Sequence, residues 1–199
     1  MTEMPFSEAC ERNKGPIGQA LAQLLPDDAR VLEVGAGTGQ HAVHFATLMP
    51  GLDWLATDRA DNLPGLHARF ALEAPGRLNS PQALDVTDER WPQGPFDVVY
   101  TANTLHIMPF ELTAVLFERA GHCLCPGGLL ICYGPFMDDG VHQADSNLRF
   151  DQSLRARDPK MGIRDTFDIL PIARRCGFVL DADLPLPANN RLLVFSRAR

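Results

Sequence analysis

No stretch of this sequence approaches the roughly 20 consecutive apolar residues that cross a bilayer, which sets aside a membrane-spanning protein. The start, MTEMPFSEACERNKG, has no basic segment followed by an apolar run, so a secretory leader is not expected. Cysteine is scarce and unpatterned. Cys10, Cys123, Cys125, Cys132 and Cys176 form an odd set without C-x-x-C spacing and without histidines placed to complete a zinc site, so no metal is expected. Idle thiols of this kind suit the reducing cytoplasm. Positive charge is also short: 18 Lys and Arg stand against 25 Asp and Glu, a net charge of −7. A general attraction to phosphate backbones is therefore not expected, and nucleic acid is a disfavoured partner. Internal repeats and low-complexity tracts are absent, and oligomeric state leaves no signature.

What is present is a rhythm. Short apolar β-type runs alternate with helical patterns along 199 residues, which points to one α/β domain over 1–199, a doubly wound, mostly parallel sheet with helices on both faces. Seven strands are expected: 30–34, 53–57, 80–84, 96–101, 128–133, 178–184 and 191–196. Helices are expected over 17–25, 40–49, 63–73, 109–123 and 166–176, with Pro and Gly at nearly every boundary. LPLPANN is too short for a helical crossover, so the last two strands should form an antiparallel hairpin. One segment breaks the rhythm: 134–165 is a long polar insertion after the fifth strand, where open parallel sheets bind ligands, and it is expected to act as a lid.

The chemistry concentrates at VLEVGAGTGQHA. An apolar strand is followed by Gly35, Ala36, Gly37 and Gly39 and then a helix, an arrangement that brings backbone amides close to a ligand. The spacing is G-x-G-x-G, and the third glycine of a dinucleotide site would fall at Gln40. Asp58 ends the second strand, where a carboxylate can accept from ribose hydroxyls of either a dinucleotide or another nucleoside cofactor. Asp85, with the Val86 amide, follows the third strand and could hold an adenine edge. Glu33 is a charge in a central strand, costly unless paired, and is expected to organise amides near the cofactor. His41, beside the turn, is taken into the cofactor set together with Ala102 and Asn103 at the end of the fourth strand.

EVGAGTGQ, Asp58, LDVTD and DVVYTANTLH, in that order, resemble the cofactor-binding series of class I methyltransferases. A narrower resemblance runs through ACERNKGPI, GAGTGQHAVHFA, ANTLHIMPF, YGPF, SNLRFDQSLRARDPKMGIRD and PANN, which together look like the domain of unknown function 938 family, methyltransferase-like by sequence. The resemblance implies S-adenosylmethionine as cofactor and a sheet whose antiparallel seventh strand lies beside the sixth. It also implies that the N-terminal segment 1–16 folds over the cofactor, with Arg12, Asn13 and Lys14 near it.

Methyl transfer from a sulfonium is an in-line displacement in which alignment does most of the work. A base is needed only where the nucleophile must lose a proton. His106 is the candidate base, and Asn103 and Tyr133 stand with it at the carboxyl edge of the sheet. The insertion carries Arg149, Arg155, Arg157, Lys160 and Arg164, and arginine forks suit anions. A small, anionic methyl acceptor held by Arg12, Tyr133, Arg157, Arg164, Asn189 and Asn190 is the expectation. A solvated helix paired with Asp151, Asp158 and Asp165 is the plainer alternative. A cofactor-binding protein without turnover and a nicotinamide-dependent oxidoreductase are the competing functions.

Overall fold

The computed structural model describes residues 4–74 and 76–198. In chain order its helices are α1 (Glu8–Leu24), α2 (Gln40–Leu48), α3 (Leu63–Glu73), α4 (Leu112–Cys123), α5 (Asp145–Arg157) and α6 (Thr166–Arg175). The strands are β1 (Arg30–Val34), β2 (Asp53–Asp58), β3 (Gln82–Ala83), β4 (Phe96–Ala102), β5 (Leu124–Gly134), β6 (Phe136–Asp138), β7 (Val141–His142), β8 (Arg164–Asp165), β9 (Phe178–Leu186) and β10 (Asn190–Arg197). Seven of them make one sheet in the order β3-β2-β1-β4-β5-β10-β9. All its neighbours pair in parallel except β10, which is antiparallel to both β5 and β9. Among the described residues no helix is long and apolar enough to cross a membrane.

The sheet is buried on both faces, which is why its central strands read as continuous apolar runs. Successive residues of β1 face opposite layers. Val31 joins Ile17 and Leu21 of α1, Phe45 of α2 and Leu66 of α3, whereas Leu32 joins Leu116 and Phe117 of α4 and Ile172 of α6. The same alternation runs through Val98 and Val99 of β4 and through Ile131 and Cys132 of β5. Removing these faces from water is the main stabilising contribution, at about 25 cal/mol per Å² of apolar surface.

Two departures from the sequence expectation have physical causes. Gly15 and Pro16 read as a helix stop, yet α1 runs through them and begins at Glu8. Ser7 caps it, accepting the Cys10 amide at 3.3 Å, and Glu8 and Glu11 lie in its first turn where the helix dipole favours acids. The insertion is built rather than loose: it holds β6, β7, α5 and β8, with a three-stranded sheet in the order β7-β6-β8. Its polar composition is spent internally. Asp165 accepts the amides of Asp139, Gly140 and Phe167 at 3.1, 2.6 and 2.9 Å, and Asp151 accepts the Ile163 amide at 2.6 Å.

Glu33 lies on the α1–α2 face of β1, 2% exposed, and accepts the Trp54 indole N–H at 2.9 Å. Its partner is therefore an indole rather than the backbone amides expected of it. Burial, opposed by that hydrogen bond, pushes its carboxyl up to about 7. Because folding favours the protonated form, this group's contribution is complete below the ordinary 4.5 and is lost as pH rises through about 7. Glu33→Gln keeps the indole's acceptor and cannot ionise. It should raise stability over wild type at about pH 8 by roughly 3 kcal/mol in urea denaturation, with little gain below the ordinary carboxyl range. An equal gain at both pH values would remove ionisation as the cause.

Candidate cofactor and acceptor site

The glycine turn leaves β1 and touches the loop after β4. Gly35 has φ +78°, and a Cβ there would stand 2.7 Å from Thr104 Oγ1. Gly37, at φ +57°, has no atom within 4 Å of the position a Cβ would take, so its free side is open. The amides of Gly35 and Ala36 donate to Thr57 O at 3.0 and 2.9 Å, tying the turn to β2. At the end of β2 the buried Asp58 carboxylate accepts the Gly37 amide at 2.5 Å, the Arg59 amide at 2.7 Å and Asn62 Nδ2 at 2.8 Å. Asp85 is the next acid along the same edge. One of its oxygens accepts the Thr87 amide and hydroxyl, which hold its carboxyl below the usual range, and the other lies 3.8 Å from Arg59 Nε. Val86 is half-buried beside it. The amides of Gly35, Ala36, Gly37 and Gly39 are already paired, so what this edge offers a nucleoside is two carboxylates and a bare Gly37 that lets a ligand approach the backbone.

Above this edge α1 is strapped down by two buried side chains. Gln40 Oε1 accepts the Ser7 amide at 2.7 Å and the Thr38 hydroxyl at 2.9 Å, while its Nε2 donates to Glu11 at 2.9 Å. Arg69 donates to Pro5 O and Thr38 O, both at 2.6 Å, and pairs with Glu73 at 2.5 Å. The residue that replaces a third glycine thus fastens the N-terminal segment to the turn.

A cavity of about 670 Å³ opens at the carboxyl ends of β4 and β5. α1 supplies Arg12, Asn13 and Pro16; the sheet edge supplies Asn103 and Tyr133; α5 supplies Asn147 and Phe150; the β9–β10 turn supplies Pro187 to Asn190. Asn103 sits just past Ala102 with φ +57°, an unusual conformation that asparagine tolerates, and its amide donates to Tyr133 O at 2.8 Å. Ala188 and Asn189 also have positive φ, and Asn147 Nδ2 donates to Asn189 O at 3.0 Å, binding α5 to the hairpin. Asn13 Oδ1 lies 2.7 Å from His41 Nε2.

Arg12, Asn13, Asn103, Tyr133, Asn189 and Asn190 therefore come together. Arg157 and Arg164 do not. Arg157 is exposed at the end of α5, away from the cavity lining. Arg164 is buried and consumed by structure, its Nε donating to Leu105 O at 2.9 Å and its Nη2 to Met108 O, with the guanidinium over the Phe110 ring. For Arg157 the cause is register, since α5 turns Ser146, Asn147 and Phe150 to the cavity rather than its arginines; Arg164 lies in β8, where the carbonyls of Leu105 and Met108 take its guanidinium. His106 is also not among the lining residues. It is 5% exposed, packs edge-on against Phe150 at 5.3 Å, and is pushed down to about 4 by burial and the Arg164 charge. An imidazole so depressed is neutral near neutral pH, and it stands behind Phe150 rather than on the cavity wall. Asn147 and Phe150 went unread in the sequence although their three-residue spacing is a helix-face signal. Gln40 and Arg69 carry no such signal.

The fold that carries this site is the Rossmann-like fold of class I methyltransferases. Human N-acetylserotonin methyltransferase in complex with S-adenosylmethionine superposes with TM-score 0.82 at 17% identity, over 96% of this chain and 53% of that one. The S-adenosylmethionine-dependent methyltransferase SibL, in its apo form, gives 0.80 at 23%, over 96% and 56%. CalO1, a methyltransferase of calicheamicin biosynthesis in its S-adenosylhomocysteine-bound form, gives 0.77 at 19%, over 96% and 56%. The chain spans just over half the length of these structures. Within that fold, residues 4–197 match the model described as "Protein of unknown function (DUF938)", and the chain belongs to that family.

Arg164→Ala should lower stability by roughly 2–3 kcal/mol in urea denaturation, because buried carbonyls lose their donors. Arg157→Ala should stay within about 0.5 kcal/mol of wild type. Equal effects would contradict the structural assignment of Arg164. Gln40→Ala should speed amide hydrogen exchange over residues 5–11 about tenfold, an opening cost of about 1.4 kcal/mol; unchanged exchange there would show that the strap is held by other contacts.

Proposed function

We propose that this protein is an S-adenosylmethionine-dependent methyltransferase that acts on a small molecule. The observation that carries the reading is the joining of two sites at one sheet edge: the glycine turn abuts Thr104, the neighbour of Asn103, which lines the cavity. Asp58 would take the ribose hydroxyls, Asp85 and the Val86 amide the adenine, and the open side of Gly37 would let the methionine end lie against the backbone. When bound, S-adenosylmethionine supplies an electrophilic methyl group. The chain's own residues align and enclose. A cavity of this size is in the range of small-ligand sites, and α1, held by Gln40 and Arg69, closes one side of it against water.

The cavity lining suits a nucleophile that needs no protein base. Its titratable side chains among the described residues are Arg12 and Tyr133, and burial raises the Tyr133 phenol, which stays protonated near neutral pH. A neutral amine, or an oxygen or sulfur acid that ionises by itself, fits this environment. Arg12 is largely exposed and sits 3.7 Å from Glu8, so an anionic group on the acceptor would meet one rim guanidinium while the body of the molecule meets amides and apolar rings. Five free cysteines suit work in a reducing cytoplasm.

Calorimetry with S-adenosylmethionine, S-adenosylhomocysteine and NAD tests the reading. The two adenosyl compounds should bind and NAD should not; binding of NAD alone would overturn it. Asp58→Ala should weaken S-adenosylmethionine binding by roughly 1–3 kcal/mol, and unchanged affinity would remove Asp58 from the site.

A further inference from the structure

We propose that the cavity at the amino edge of the sheet, between residues 89–95 and the end of α4, is a second ligand site that takes an organic oxyanion. Its volume is about 590 Å³, in the range of small-ligand sites, and it shares no lining residue with the acceptor cavity. β4 runs from Phe96, beside this cavity, to Ala102, beside Asn103 of the other, and its seven residues span about 20 Å. The wall is built. Trp91 packs against the apolar layer that holds Leu116 and Phe117, Cys123 Sγ donates to Pro92 O at 3.6 Å, and Gly94 lies so close on Cys123 O that no side chain fits there.

Two nitrogens in that wall decide the chemistry of the ligand. Trp91 Nε1 and Arg119 Nε are closed off from solvent and have no acceptor among the described residues. The other side-chain atoms left so, the Tyr100 and Thr113 hydroxyls and His142 Nδ1, can each accept as well as donate. Trp91 Nε1 and Arg119 Nε can only donate, and both belong to residues that line this one cavity. Leaving a buried donor unmet is costly, and folded proteins seldom do it. Arg119 is half-buried and donates from Nη1 to Glu89 O at 3.2 Å, so a small swing about that contact presents the Nε edge of the fork to the cavity. The charge agrees: in a chain of net charge −7, Arg90 and Arg119 stand here against Glu89 alone, with His122 beside them. What two donors and an arginine fork select is an oxyanion, a carboxylate or a phosphate. Trp91, Pro92 and Pro95 give a ring or other apolar body a surface to lie on, which makes the oxyanion an organic one.

The chain has two tryptophans, Trp54 and Trp91, so its nitrogen-15 spectrum has two indole N–H resonances, and Trp91→Phe assigns them. Titration of the intact protein with phenyl phosphate and with benzoate should move the Trp91 resonance and leave that of Trp54, which donates to Glu33, in place. The tighter of the two tells a phosphate ester from a carboxylate. Inorganic phosphate should bind more weakly than phenyl phosphate, and equal binding would overturn the organic body. Benzyl alcohol, with the ring and no charge, should move nothing. Arg119→Gln should weaken anion binding about tenfold or more, as the loss of a charge-assisted hydrogen bond does, while Arg157→Gln, at an exposed arginine elsewhere, should not. A Trp91 resonance that neither organic anion moves at millimolar concentration would overturn the proposal whether or not any variant folds, and so would an equal response to benzyl alcohol. The titrations use no cofactor, so failure of S-adenosylmethionine to bind would sink the functional reading alone.

Discussion

The site depends on one constraint: the N-terminal helix must be held across the carboxyl edge of the sheet. Gln40 and Arg69 do this, each taking a backbone group of the segment before α1 and a group of Thr38. Both side chains are buried, where an unmade hydrogen bond costs more than a made one contributes. The strap is consequently specific in register, and it places Asn13 against His41 in the cavity wall that Tyr133 also lines. Without it, the cavity would lose the wall formed by Arg12, Asn13 and Pro16.

The insertion after β5 shows how polar residues divide between structure and site. Asp151 and Asp165 are occupied by turn amides, Arg155 by Asp151, Arg164 by carbonyls, and Arg191 by Asp138 and Asp183. What the insertion gives the cavity is uncharged: Ser146, Asn147 and Phe150. Amide side chains from α1, α5, the end of β4 and the terminal hairpin converge there with Tyr133 and Phe150, and Arg12 stands at the rim.

The turn VLEVGAGTGQ, the acids at Asp58 and Asp85 and the closing hairpin are local features, and they were legible because backbone geometry at a strand end is set by nearby residues. β1 and α3 agree with the expected bounds, while β5 begins earlier and β3 is shorter. The start of α1 was hidden because Gly15 and Pro16 argue locally for a stop, and packing on α2 outweighs them. The secondary structure of 134–165 was hidden because its strands are two or three residues long and pair with partners far along the chain.

By itself the sequence determined a doubly wound sheet, its antiparallel close, and a turn built for a nucleoside-bearing ligand, since strand periodicity, turn glycines and connection length are properties of neighbouring residues. Only the tertiary structure decided which side chains meet. It turned Arg164 inward to carbonyls, sealed His106 behind Phe150, gave Glu33 an indole partner, and made Gln40 the fastening of α1. Each of these is a contact between residues far apart in the chain, and burial, which sets the protonation of Glu33, His41 and His106, exists only once the layers have packed.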